Sequence, residues 1–316
     1  MMRAAAGWGV KLCALGMLLC LPARAATYFV TVAGLGGEPD YEQRFTGLAK
    51  DLDRIAKGSG SDAHVFTLMG ADATQAHLTA VLGEVASQAK PQDDFVLVLI
   101  GHGSFDGVEY KFNLPGPDIS ATELAQLCNR IPSRRQLIVN TTSSSGGSVA
   151  ALEKPGRAVV AATKSGTEKN ATVFARYWVE ALEDPTADTD KNEAVTALEA
   201  FQYADAKTVD FYQTQKRLAT EHAVFEDTGK NEPVRAASTA NGEGLLLQNF
   251  TLIRTGGALR AANDPAKQAL IAKKEALEQQ IDVLKYQKAA MDPADYKAQL
   301  TKALVDLAHV QQELDK

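Results

Sequence analysis

The sequence predicts an α/β fold with a mainly parallel central sheet, followed by a C-terminal α-helical hairpin or short coiled coil. Three observations carry this. Phe95–Ile100 (FVLVLI) and Leu137–Val139 (LIV) are apolar without polar alternation, as strands covered on both faces are. Segments with helical spacing separate such runs, which implies right-handed βαβ crossovers and parallel neighbours. From Asp264 onward the chain turns to Ala, Lys, Gln, Glu and Leu, with apolar residues at helical intervals.

In chain order, Tyr28–Ala33 (YFVTVA) is the first expected strand, stopped by Gly34-Leu35-Gly36-Gly37. Those glycines lack the full six-residue dinucleotide fingerprint, and no helix starts at once. A helix over Tyr41–Lys57 places Phe45, Leu48, Leu52 and Ile55 on one face. His64–Met69 is the second strand and Thr74–Gln88 the second helix. Phe95–Ile100, a helix near Ala121–Arg130, Gln136–Val139 and Arg157–Thr163 continue the alternation. A helix over Asn170–Leu182 and a longer one reaching about Arg217 follow. Gly244–Ile253 (GLLLQNFTLI) is expected as the last strand. Leu270, Leu277, Ile281 and Leu284 make one seam of the C-terminal hairpin. Met291-Asp292-Pro293 breaks it, and Leu300, Leu304, Leu307 and Leu314 make the second.

The N-terminus reads as a signal peptide. Arg3 and Lys11 precede the apolar run Leu12–Leu21, and Ala23-Arg24-Ala25 has the small-x-small form of a signal-peptidase site. The run is too short for a lasting bilayer span, so the expected product is exported, periplasmic or secreted. Residues 1–25 then leave, 26–262 form the α/β domain and 263–316 the hairpin. Losing Arg3, Lys11 and Arg24 without any acid moves the formal charge from −6 to −9. That acidity argues against a nucleic-acid partner. Only Cys128 survives cleavage, so no internal disulfide can form.

Chemistry is expected at strand ends, where open parallel sheets gather it. The first buried run delivers His102 followed by Gly103. Imidazole titrates near neutrality and suits general acid–base work. A glycine lets a carbonyl approach the backbone, whose N–H can hold an oxyanion. The second run ends in Thr141-Thr142-Ser143-Ser144-Ser145-Gly146-Gly147, placing hydroxyls beside the histidine. Asp106 or Glu109 would orient the imidazole. His222 is read as structural.

The caspase and legumain clan of cysteine peptidases has a strand ending in His-Gly and, some forty residues later, a strand ending in small-Cys-x-Ser-Gly, which His102-Gly103 and Thr142-Ser143-Ser144-Ser145-Gly146 resemble. The opening VAGLGGEPDY resembles the first strand and loop of the legumain (C13) family. The resemblance spans about Ala26 to Tyr212 and implies a caspase-like three-layer sandwich. It implies His102 as the catalytic histidine and Gly103 as the oxyanion glycine. It places Ser143 on the nucleophilic cysteine, with Thr142 the neighbouring alternative. The sulfur is missing, Gly36 stands where the legumain family carries asparagine, and Glu42 where it carries a basic residue. A thiolate is accessible near neutral pH, whereas serine needs a base hydrogen-bonded directly to it.

The favoured expectation is therefore a pseudoenzyme that needs no cofactor and binds a peptide or protein partner at the ancestral site. A serine hydrolase using Ser143 or Ser145 with His102 is the alternative, although Gly-x-Ser-x-Gly and Ser-x-x-Lys are absent. A second alternative is an envelope scaffold acting, or self-associating, through its C-terminal helices. Finally, residues 188–199 fit an EF-hand-like calcium loop. Asp188, Asp190 and Asn192 take positions one, three and five, Ala194 supplies the position-seven carbonyl and Glu199 is the twelfth. Glu193 replaces the glycine expected at the sixth position. A solvated helix-capping loop is the competing reading, and Ca²⁺, if bound, would clamp the loop.

Overall fold

The computed structural model describes residues 25–60 and 62–316, so the expected signal peptide lies outside them except for Ala25. The chain runs β1 (Thr27–Ala33), α1 (Pro39–Gly58), β2 (Ala63–Leu68), α2 (Gln75–Gln88) and β3 (Asp94–Ile100). Three short strands follow, β4 (Gly103–Phe105), β5 (Tyr110–Phe112) and β6 (Ile119–Ser120), then α3 (Ala121–Cys128) and β7 (Arg135–Asn140). Next come α4 (Val149–Leu152), β8 (Arg157–Ala161), α5 (Phe174–Ala181), β9 (Ala194–Thr196), α6 (Ala197–Thr214) and β10 (Val224–Glu226). The chain closes with α7 (Leu245–Gln248), β11 (Thr251–Arg254), α8 (Gly256–Asn263), α9 (Gln268–Gln287) and α10 (Pro293–Leu314).

The central sheet has the order β10-β8-β7-β3-β1-β2, and every pair is parallel except β10 with β8. All seven residues of β3 are buried. Phe95, Leu97 and Leu99 face one helical layer with Leu78, Leu82 and Leu124. Val96, Val98 and Ile100 face the other, with Leu52, Trp178 and Phe201. The period of two thus splits one apolar run between two cores, giving the expected three-layer α/β sandwich with its mainly parallel sheet. Because β1 lies between β2 and β3, the order reverses there, and the ends of β1 and β3 meet through Gly34 N–H to the Ile100 carbonyl (2.8 Å). This is the switch point at which such sheets hold their ligands.

Three features depart from the expected elements. The sixth sheet strand is β10, an antiparallel trio whose length is too short for any periodicity to register. The stretch expected as a final strand divides instead into α7 and β11. Asp227 caps α7 by accepting from the Gly244, Leu246 and Leu247 N–H groups (2.8, 2.9 and 3.1 Å). β11 pairs with β9 in a separate two-stranded sheet. The helix expected from Asn170 starts at Phe174, where buried Glu221 accepts from the Val173 and Phe174 N–H groups (2.8 and 3.2 Å).

The C-terminal helices form an antiparallel pair, since Lys267 Nζ at the start of α9 donates to the Leu314 carbonyl at the end of α10 (2.6 Å). Their seam carries Ile271, Leu277, Val310 and Leu314. Polar links join the pair to the α/β body: Arg254 with Glu275 (2.5 Å), Lys274 Nζ to the Asn192 carbonyl (3.3 Å) and Tyr286 Oη to the Glu243 carbonyl (2.9 Å). Among the described residues no helix is long and apolar enough to cross a membrane.

Candidate functional site

His102 sits in the crossing from β3 into β4, half-buried. Its ring meets Tyr41 and Phe45 of α1 edge-on, with centroids 4.6 and 5.1 Å away. Burial lowers its pKa from the usual 6.5, while the Gly36 backbone and Glu38 work in the opposite direction. The neutral imidazole is the form this setting favours, which is the form a base needs. The acids expected to orient it do not reach it. Asp106 Oδ1 instead accepts from the Val108 and Glu109 N–H groups (both 2.8 Å) and closes the turn between β4 and β5.

Gly103 and the hydroxyl run do converge. Ser143 Oγ donates to the Gly103 carbonyl (3.0 Å) and accepts from the Gly103 N–H (3.1 Å). A hydroxyl has one proton, and this one is committed to a backbone carbonyl. The amide expected to meet an oxyanion is filled by the same oxygen. Among the described residues no hydrogen bond joins the His102 ring to any hydroxyl of the run. Gly103 is also required by the chain's own atoms. A Cβ there would lie 2.5 Å from Tyr110 Cε2 and 2.6 Å from both the Ser143 carbonyl and Thr142 Oγ1.

The two alternative nucleophiles are network members. Thr142 Oγ1 is fully buried and contacts Tyr110 Oη (2.6 Å), Asn140 Oδ1 (2.9 Å) and the Ser143 carbonyl (3.0 Å). Ser145 Oγ, equally buried, accepts from the Thr163 N–H (3.1 Å) and lies 3.2 Å from Thr163 Oγ1. Asn140 Nδ2 donates to Ser148 Oγ (3.0 Å), which returns a bond to the Ser145 carbonyl (2.6 Å). Serines and threonines at a strand end readily serve as local acceptors and donors of this kind. Tyr110, which reaches this network from β5, was not visible as a partner because the small β4-β5-β6 sheet gives no periodic signal.

Ser144 stands apart. It is left-handed (φ 58°), its N–H donates to the Glu168 carbonyl (2.8 Å), and its buried Oγ has no partner. Glu168 in turn accepts from His222 Nδ1 (2.5 Å) and from the His222 and Lys164 N–H groups (3.2 and 3.0 Å). Glu168 therefore links the serine turn, through its carbonyl, to His222 ahead of β10, through its carboxylate. Cys128 is buried on α3, and burial raises its thiol pKa to about 11, the behaviour of a small core residue.

At the acidic loop, oxygens of Asp188, Asp190 and Glu199 lie within 4.8 Å of one another. Each of the six carboxylate oxygens already accepts a hydrogen bond. Asp188 takes the Asn192 and Glu193 N–H groups, and Asp190 the Asn192 N–H and Nδ2. Glu199 takes the N–H and hydroxyl of both Thr189 and Thr196, completing a capping box on α6. Asn192 Oδ1 accepts from the Ala194 N–H (2.8 Å), and Ala194 opens β9. Glu193 adopts φ 64° where a glycine was expected, and its carboxylate caps α8 through the Ala258 N–H (2.7 Å). Helix capping explains a side chain at that strained position.

No protein-family model matches the chain, and no curated protein sequence does. Among solved structures, the chain is similar to the Drosophila initiator caspase Dronc, with 11% identity, a TM-score of 0.43 and coverage of 66% of this chain and 81% of that one. It is also similar to protein GSU0716 of Geobacter sulfurreducens, with 13% identity, a TM-score of 0.46 and coverage of 74% of this chain and all of that one.

Proposed function

We propose that the protein is an exported relative of caspase- and legumain-type peptidases that binds a peptide or protein segment at the strand ends around His102 without cutting it. The observation that supports this reading is the reciprocal bond between Ser143 Oγ and the Gly103 backbone. Attack by that oxygen would require it to leave both a carbonyl and an amide, with no base hydrogen-bonded to it. Nucleophile and oxyanion donor then satisfy each other instead of a substrate. What remains for recognition is a half-buried neutral imidazole framed by Tyr41 and Phe45, a setting able to exchange hydrogen bonds with an extended backbone.

A fluorophosphonate probe tests the chemistry, and peptides selected by binding test the recognition. The expected result is no labelling, with selected peptides recovered intact and their affinity lowered in His102→Ala. Labelling that disappears in Ser143→Ala would replace this reading with that of a serine hydrolase, in which Ser143 rotates toward the neutral His102. Ser143→Ala should also cost about 1–3 kcal/mol of stability, because the Gly103 amide and carbonyl lose their partner.

A further inference from the structure

Asp93 precedes β3 and is 4% exposed. Its Oδ2 accepts from the Lys90 N–H (2.8 Å) and its Oδ1 from the N–H of Ala26 (2.9 Å). Among the described residues no cation pairs with it; the neighbouring Arg135 is taken by Asp94 (2.5 Å), and the charge of Asp93 instead helps to raise the pKa of Tyr28. A buried carboxylate held by neutral donors alone keeps an uncompensated charge. Ala26 is the residue that follows Ala23-Arg24-Ala25, the small-x-small cleavage pattern. It is pinned on its other side as well, because its carbonyl accepts from the Asp94 N–H (2.9 Å) at the mouth of the β1–β3 ladder.

We propose that processing after Ala25 delivers the new α-ammonium of Ala26 to Asp93, so that this buried carboxylate is the receptor for the mature N-terminus. A signal peptidase supplies the reaction. Water adds across the Ala25–Ala26 peptide bond, the Ala25 carboxylate departs with the leader, and the released amine takes up a proton. An α-amino group has an unperturbed pKa of about 7.7–8.0, and a carboxylate in contact raises it. Cleavage converts a neutral amide donor into a cation at the same atom, and the β-ladder bonds keep that atom in place. The leader's removal thereby completes the fold at the start of a central strand. This inference rests on the export reading, which the mass of the exported chain tests separately.

The experiment compares three forms with identical side chains from Ala26 onward: the chain processed to Ala26, the same chain acetylated on its α-amine, and the unprocessed chain. The processed form should melt at the highest temperature. Its advantage should be present below the unfolded α-amino pKa and disappear as the pH rises through the elevated folded value. Asp93→Asn should lower the melting temperature of the processed form more than that of the unprocessed one. Equal melting of the free and acetylated forms overturns the proposal without any substitution. So does an equal effect of Asp93→Asn in both forms. A mature mass that starts at a residue other than Ala26 overturns the premise on which it stands.

Discussion

At the scale of single residues, two buried groups make strong statements about stability. Arg157 is 1% exposed and donates to Gln136 Oε1 (2.9 Å), the Leu152 carbonyl (2.8 Å) and Asn129 Oδ1 (2.9 Å), all neutral acceptors. It knits β7, α3 and α4 to the start of β8. Arg157→Ala should cost about 3–5 kcal/mol in denaturant melts, since it leaves those acceptors unpaired around a cavity. Glu243 is 1% exposed, and burial together with the Asp227 carboxyl beside it raises its pKa to about 7. Thr228 Oγ1 lies within reach of both Glu226 Oε1 (2.8 Å) and Glu243 Oε1 (3.0 Å). One hydroxyl proton cannot serve two carboxylates, so a proton on Glu243 completes the set. Because the folded value lies above the ordinary 4.5, this contribution is full below 4.5 and is lost as the pH rises to about 7. Melting temperatures of the wild type should fall across that window relative to Glu243→Gln, and parallel curves would remove the shared proton.

At the scale of elements, the acidic loop and the hydroxyl run each knit their surroundings through hydrogen bonds. Glu199 caps α6 and staples Thr189 to it, so Glu199→Ala should destabilise the protein by about 1–3 kcal/mol. A cap alone predicts the same loss with and without added calcium; a loss confined to calcium-containing buffer would make the loop an ion clamp. The spacing of Asp188, Asp190 and Glu199 was legible because carboxylates at alternate positions before a helix form a recognisable pattern. The partner ten residues away was not, since Thr189 reaches Glu199 only once the loop has folded back, whereas Thr196 is the local cap three residues before it. The same holds for the serine turn. Its position after a buried strand could be read directly, whereas Tyr110 and Thr163 arrive from elements distant in sequence.

At the scale of the whole molecule, the α/β body and the C-terminal hairpin are held by different forces. The body has two extensive apolar cores on either side of the sheet, while the hairpin has its own small seam, shared with Ala262 of α8, and polar links to the body. The ion pair among those links, Arg254 with Glu275, is partly exposed and so partly screened by salt, whereas buried apolar surface is not weakened in that way. Amides of α9 and α10 should therefore exchange before those of β3 and β7, and the gap should widen with ionic strength. Hydrogen exchange read by mass spectrometry at low and high salt checks this. Simultaneous exchange of both parts would mean a single cooperative unit.

The sequence by itself determined the layered α/β architecture, the parallel sheet and the placing of the His102–Gly103 strand end on the strand beside the one that ends in the serine turn. These follow from local periodicity and chain order, because strands buried on both faces must carry unbroken apolar runs and consecutive crossovers place their ends together. Tertiary structure alone decided what that placing amounts to. A hydroxyl's role depends on the atom at its one proton, and Ser143 finds the Gly103 backbone instead of His102. The antiparallel sixth strand, the β4-β5-β6 sheet and the Asp93–Ala26 contact likewise rest on pairings between distant residues, which no local pattern encodes.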